Sequence, residues 1–212
     1  MNTLLVFSRA IDRMTEFIGR AVIWLLLAAV VVSAVNAIVR YTLGISSNAW
    51  LELQWYLFSA VFLLGAGYVF LHDQHVRIDV ISSRMSRRKQ VWVDVIGIFF
   101  FLLPLCLFIV WTALPSLGKA IDTWEVSPSP GGLLRWPLFI LLPIGFTLLF
   151  IQSISELIKR VAFLSGHGPD PHAKAEKTEE EKLLEEIQRE LEEKEATQLA
   201  AAARAAKTGD KA

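Results

Sequence analysis

The chain has 212 residues, of which 54% are hydrophobic, with 21 Lys and Arg against 21 Asp and Glu and a mean hydropathy of +0.46. This composition is too apolar for an ordinary soluble domain, and the chain is too short for a large transporter. The balanced charge gives no indication of a nucleic-acid partner. The single cysteine, Cys106, excludes an intrachain disulfide and a cysteine zinc site. We therefore expect a small all-α membrane protein.

Residues 1–20 predict an amphipathic helix that lies in the membrane interface. Apolar residues recur at helical spacing while most charged residues fall on the other face. The apolar residues are Leu4, Phe7, Ile11, Met14 and Ile18. The segment does not resemble a secretory signal, because charges are spread through it and no apolar core leads to a small-residue cleavage site. The alternative is a simple polar lead-in to the first membrane span.

Four apolar stretches are long enough to cross a membrane, since about 20 helical residues span roughly 30 Å of hydrocarbon. They are residues 21–39, 51–71, 91–114 and 136–158. The short link between the first two contains Gly44 and predicts antiparallel neighbouring helices. Pro104 is expected to kink the third span, and Pro143 to break the fourth. Tryptophans near the span ends are the predicted membrane anchors: Trp50, Trp92, Trp111 and Trp136.

Lys and Arg concentrate in three segments, which the positive-inside rule places in the cytoplasm. One precedes the first span, one is the loop 77–89, and one follows the fourth span. The loop 115–135 has balanced charge and a Ser-Pro-Ser-Pro-Gly-Gly run, so we expect an irregular loop on the outer side. Four spans then leave both termini in the cytoplasm. Asp94 is expected to pair with a cation at the end of the basic loop, namely Arg87, Arg88 or Lys89.

The composition changes after the fourth span. Residues 161–174 read as a linker, and residues 175–212 as a charged, cytoplasmic tail that is helical to disordered. Leu184, Ile187 and Leu191 form a narrow apolar stripe in this tail. The stripe is too short to predict a coiled coil. The tail is either a marginal solvated helix or a docking element for a cytoplasmic partner.

Glu52 and Gln54 at the head of the second span are the first candidate functional residues. An ionisable group in a membrane helix is a functional candidate by default, and Glu52 is either a partner contact or an interfacial cap. After the second span, His72 and His75 lie near Asp73 and Asp79. A metal site is conceivable there, but a salt-bridge cluster involving Arg77 is favoured.

The sequence offers no catalytic motif and therefore predicts no enzyme, metal site or cofactor. It also lacks midplane charges and broken helices in two repeated halves, which a self-sufficient transporter tends to show. From the residues alone, the chain reads as an accessory subunit in a membrane.

Several short motifs resemble, in order, the small membrane (Q) subunit of tripartite ATP-independent periplasmic (TRAP) transporters. They are Glu52-Leu53-Gln54-Trp55-Tyr56-Leu57, Leu64-Gly65-Ala66, His75-Val76-Arg77-Ile78-Asp79, Arg135-Trp136-Pro137 and Leu142-Pro143-Ile144-Gly145-Phe146. The resemblance covers roughly residues 10–160 and leaves out the tail after Gly166.

The resemblance implies a scaffold in the bacterial inner membrane, without catalysis or a cofactor of its own. Its partners would be a large membrane subunit that holds the substrate and sodium sites, and a periplasmic binding protein that delivers an organic-acid-type solute. The residues implied to orient the subunit or bind its partner are Glu52, Gln54, His75, Arg77 and Asp79.

Two other hypotheses compete with the scaffold. One is a stand-alone proton-coupled transporter that works as a homo-oligomer with Glu52 as the carrier. The other is a membrane anchor that recruits a cytoplasmic protein through its charged tail.

Overall fold

The computed structural model describes residues 2–44, 47–72 and 85–166, together with the helical residues Leu184 and Ile187. The chain divides into two units, residues 1–168 and residues 169–212. In the second unit, Leu184 and Ile187 are exposed. In the first unit, four helices are long and apolar enough to cross a membrane, which confirms the predicted all-α membrane class.

The described part of the first unit contains six α-helices of different lengths. They are α1 (Asn2–Leu43), α2 (Asn48–Leu71), α3 (Arg87–Gly97), α4 (Leu103–Asp122), α5 (Trp136–Phe139) and α6 (Leu141–Leu164). A π-helical segment, Ile98–Leu102, joins α3 to α4. The third membrane-length helix is therefore α3 with α4, and the fourth is α5 with α6.

Helix α1 runs without a break through the boundary that the sequence analysis placed at residue 20. Its 42 residues give a length of roughly 63 Å, about twice the hydrocarbon thickness. Gly19 does not interrupt the helix. It makes room instead, because a Cβ at this position would clash with the ring of Tyr68 on α2. The location of the first 20 residues in the membrane interface stays a prediction.

Helices α1, α2 and α6 pack against one another. Gly19 of α1 meets Tyr68 of α2, and three residues further along α1, Val22 meets Gly65. The residue order confirms that the two helices are antiparallel. At Gly67, a Cβ would lie 3.6 Å from Thr15 Cγ2 on α1 and 3.8 Å from the Cβ of Gln152 on α6.

Helices α2 and α6 approach each other closely at Gly145. A Cβ built on this residue would lie 2.8 Å from both the Cβ and the carbonyl oxygen of Leu63. Small residues let membrane helices pack at short distance. Glycines therefore set the spacing of the three-helix core.

The third membrane-length helix packs mainly on α6 and α5. Its buried residues form a narrow seam of Val91, Ile98, Cys106, Ala113 and Ala120. Successive members are seven residues apart, except for a step of eight across the π-helical segment. A π-helical turn takes up one extra residue, so the seam stays on the α6 side.

The prolines act on these helices in different ways. The π-helical segment directly precedes Pro104, whose ring would clash in a regular α-helix with the carbonyl of Phe100, four residues earlier. Pro115 does not end α4, which continues to Asp122, so residues 115–122 are helical and not part of a loop. The predicted break in the fourth span is confirmed at Ile140, since Pro143 has no N–H for the carbonyl of Phe139.

Candidate functional sites at the two ends of helix α2

The carboxylate of Glu52 holds the loop that joins α4 to α5. Its Oε2 accepts a hydrogen bond of 2.7 Å from the backbone N–H of Leu133, and its Oε1 accepts one from the Ser127 hydroxyl. One turn further on, the Tyr56 hydroxyl donates to the Leu134 carbonyl at 2.9 Å. We call Glu52, Tyr56, Ser127, Leu133 and Leu134 the loop cluster.

The loop folds back on itself to present these donors. The Ser127 N–H donates to the Leu133 carbonyl, and the Arg135 N–H to the Glu125 carbonyl, both at 2.9 Å. An ion pair of 2.7 Å between the side chains of Arg135 and Glu125 closes its base. The fold matches the irregular loop that the Pro and Gly residues predict, although it is confined to residues 123–135.

Gly132 is required beside the carboxylate. A Cβ at this position would lie 2.9 Å from Glu52 Oε1, which is inside ordinary carbon–oxygen contact. Gly131, the neighbouring residue, has a φ of 71°, which favours glycine. The two glycines therefore let the backbone turn against Glu52.

Of the two candidates at the head of α2, only Glu52 belongs to this cluster. It is 7% exposed, whereas Gln54 is half-buried. Residues two apart on an α-helix point in different directions. In the described residues, Glu52 makes its contacts within its own chain.

A second set of polar residues connects α1, α3 and α6 near the other end of α2. We call Asp12, Asp94, Gln152, Ser155, Glu156, Lys159 and Arg160 the charged cluster. Asp12 of α1 accepts hydrogen bonds from the Ser155 hydroxyl at 2.8 Å and the Gln152 amide at 3.0 Å. Lys159 Nζ lies 3.1 Å from Asp12 Oδ2. The first turns of α1 are thereby attached to α6.

The ion pairs continue across α6 to the third membrane-length helix. Glu156 pairs with both Lys159 and Arg160. Arg160 Nε lies 3.2 Å from Asp94 Oδ2 on α3. This partner of Asp94 on α6 was not expected from the sequence, and the pairing predicted with Arg87, Arg88 or Lys89 stays a prediction. Arg160 is 3% and Glu156 5% exposed. Because the two side chains pair with each other, their charges are compensated inside the protein.

Gln152 is a fully buried member of the charged cluster, with 0% exposure. Its Oε1 accepts a hydrogen bond of 2.7 Å from the Thr15 hydroxyl, and its Nε2 donates to Asp12. The amide therefore uses both its acceptor and its donor, as a buried polar group requires. Ser8 and Ser155 add a hydroxyl pair at 2.7 Å.

His72 ends α2 beside α1. Its Nε2 lies 2.8 Å from Glu16 Oε2, and its ring packs against Tyr68 with the centroids 4.4 Å apart. His75, Arg77 and Asp79 lie outside the described residues. Within the part of the chain that the structure describes, no group of three or more His, Cys, Asp or Glu could hold a metal ion.

The loop cluster and the charged cluster are separated along the membrane helices. Glu52 and Gly67, which packs beside Gln152, are about 22 Å apart along α2 at 1.5 Å per residue. The intervening residues of α2 carry no charge, and neither do residues 21–39, 95–118 or 136–155. Polar interactions are thus concentrated towards the helix ends.

The charged cluster is not apparent from the sequence alone, in which Glu156, Lys159 and Arg160 are simply the polar end of the fourth span. A signal was present, because Gln152, Glu156 and Lys159 recur at helical spacing and so share a face of α6. The sequence did not reveal which helix that face meets.

The four predicted tryptophan anchors differ in exposure. Trp50, Trp92 and Trp111 are exposed, and Trp136 is half-buried at the start of α5. Amphipathic rings on the outside of a helical bundle suit a lipid interface. Their role as membrane anchors stays a prediction.

The helical bundle and its two polar clusters define a multi-pass membrane protein. The family model for tripartite ATP-independent periplasmic transporters, DctQ component, matches residues 27–163. The chain belongs to this family, whose members are the small membrane component of TRAP transporters, as the sequence motifs indicated. This is a family of transporter components and not of enzymes. The curated proteins and the solved structures gave no significant match.

Proposed function

We propose that the chain is the small permease subunit that braces the large membrane subunit of a TRAP-type secondary transporter. In this proposal, the large subunit carries out sodium-coupled uptake of an organic-acid-type solute that a periplasmic binding protein delivers. The small subunit lies in the bacterial inner membrane with both termini in the cytoplasm. It contributes no cofactor, and its basic segments support this orientation through the positive-inside rule.

The observation that carries this proposal is that the charged side chains inside the bundle form ion pairs with one another. Ion pairs among Asp12, Asp94, Glu156, Lys159 and Arg160 join three helices at one end of the bundle. Glu52 fixes a loop towards the other end of α2. A scaffold needs helices that keep their relative positions, and fully paired polar groups limit such movement.

The contacts of Glu52 favour an orienting role over that of a proton carrier. A carrier must take up and release a proton while it is exposed to each side of the membrane in turn. Glu52 instead accepts hydrogen bonds from Ser127 and Leu133 in a loop of its own chain. Gln54, His75, Arg77 and Asp79 remain proposed orienting or partner-binding residues through the family motif.

The exposed surface of the third membrane-length helix is available to a large membrane partner. Only a narrow seam of this helix is buried, and many bulky apolar residues are exposed outside the seam. Those at least 65% exposed are Phe100, Phe101, Phe108 and Trp111. Aromatic side chains of this kind are enriched at protein interfaces.

Affinity purification of the full chain from its native membranes in a mild detergent tests the assembly. We expect a large polytopic permease at near-equal amount, and reconstitution of both subunits with the binding protein should give solute uptake that depends on a sodium gradient. Recovery of the chain alone, in a detergent that preserves other membrane complexes, would contradict the proposal.

Liposomes that contain only this chain test the carrier hypothesis. We expect no pH-driven exchange, whether the chain is wild type, Glu52→Gln or the matched control Glu125→Gln, which alters a carboxylate in the same loop region. Exchange that is lost in Glu52→Gln and kept in Glu125→Gln would instead support Glu52 as a carrier.

A further inference from the structure

The first five turns of α1 present three distinct faces. The face that packs on the bundle contains Ser8, Ile11, Thr15 and Gly19, which are all buried. Arg9, Arg13 and Arg20 lie within about 40° of one another around the helix, at 100° per residue. All three are exposed, and we call them the arginine stripe.

The tertiary contacts place the negative and the positive charges of this segment on different sides of the helix. Its sequence contains three arginines and two carboxylates, Asp12 and Glu16. Asp12 points to α6, where Lys159 pairs with it. Glu16 approaches His72 of α2 at 2.8 Å and Arg20 at 3.4 Å. Arg9 and Arg13 therefore keep their positive charge on the outside, while the negative charge faces the bundle.

An apolar surface borders the arginine stripe. Phe17 is 74% exposed and lies one turn from Arg13 in the direction of the apolar part of α1, and Val6, Phe7 and Met14 continue this face. Exposed aromatic residues next to a row of arginines are typical of helix surfaces that bind the headgroup region of anionic membranes. The attachment of this segment to α6 fixes the direction in which the stripe faces.

We propose that the arginine stripe binds the headgroups of anionic phospholipids in the surrounding bilayer. The positive charge of Arg9 and Arg13 supplies the attraction, and Phe17 contacts the adjoining acyl chains. Arg20 ends the stripe on the side of the apolar part of α1, where it pairs with Glu16. This binding is independent of the proposed scaffold function, because it requires only the chain and its lipid.

Native mass spectrometry of the purified full chain tests the proposal. Delipidated protein is given an equal mixture of phosphatidylglycerol and phosphatidylcholine, and the ratio of the bound lipids is measured. The wild type should prefer phosphatidylglycerol. The double variant Arg9→Gln/Arg13→Gln should lose this preference by at least about five-fold, the effect expected of one cation near an anionic surface.

Two control variants distinguish the stripe from general charge and from damage to the helix. Arg40→Gln/Lys119→Gln removes two exposed cations elsewhere and should keep the preference. Arg9→Lys/Arg13→Lys keeps the charge and should also retain it. An unchanged preference in Arg9→Gln/Arg13→Gln would overturn the proposal. An equal loss in either control variant would overturn it as well.

Discussion

The replacement of Gly145 by alanine tests whether glycines set the spacing of the three-helix core. The new Cβ would lie 2.8 Å from the carbonyl oxygen and Cβ of Leu63 on α2 and 3.0 Å from its carbonyl carbon. Relief to ordinary contact requires α2 and α6 to separate by about 0.6 Å or more. Because the neighbour is backbone, a rotation of a side chain cannot relieve the clash.

We expect Gly145→Ala to lower the free energy of unfolding by about 1–3 kcal/mol, the usual cost of overpacking. For a chain of this size, the corresponding decrease in Tm is about 2–12 °C. Gly19→Ala should also be destabilising, because the new Cβ would clash with Cδ2 and Cγ of Tyr68, and Cγ does not move when the ring turns about χ2. Gly97 and Gly118 are matched controls, since a Cβ on either would meet nothing within 4 Å. Their alanine variants should be neutral or more stable by up to about 1 kcal/mol.

The single cysteine provides the assay. Cys106 is fully buried at the seam between α4 and α6, so a thiol-reactive dye labels it when the bundle opens. Thermal unfolding of each variant in mild detergent, followed by dye fluorescence, gives the Tm series. A Tm of Gly145→Ala at or above that of Gly97→Ala would refute the packing argument.

Three further predictions use the polar clusters. Gln152→Leu removes the amide hydrogen bonds with Thr15, Asp12 and Glu156 and should cost about 1–3 kcal/mol in the same melt, whereas an unchanged Tm would show that these bonds contribute little. Arg160→Met should cost about 3–5 kcal/mol because buried Glu156 loses a cation, and adding Glu156→Gln should restore part of this loss. A double variant with fully additive losses would contradict that pairing. Glu52→Ala should speed hydrogen exchange at the Leu133 N–H, and unaltered protection would exclude Glu52 as its essential acceptor.

Much of the fold follows from local sequence properties. The four spans are predictable because each needs only an apolar run of sufficient length. The antiparallel pairing of α1 and α2 follows from a link of few residues, and the interruption of the fourth span from a proline without an N–H. The continuity of α1 and the end of α4 were less predictable, since the boundaries expected from the sequence at residues 20 and 115 both lie inside helices.

The candidate sites were likewise predictable only where a feature of contiguous residues marks them. Glu52 was identified from sequence because a carboxylate at the head of a membrane helix is unusual in itself. Its partners in the loop were not, because residues 127 and 133 approach it only after the chain has passed through the third membrane-length helix. The charged cluster was missed for a similar reason, as Asp12 and Lys159 are 147 residues apart in the chain.

The sequence by itself determined that this is a four-span membrane protein of the TRAP small-subunit family, because hydropathy, turn residues and short motifs are properties of contiguous residues. Only the tertiary structure decided which polar side chains meet. Asp12 pairs with Lys159, Asp94 with Arg160 and Glu52 with the loop because the packing of the helices brings those faces into contact. Such pairing depends on the rotation of each helix about its axis, which is set by packing between distant segments.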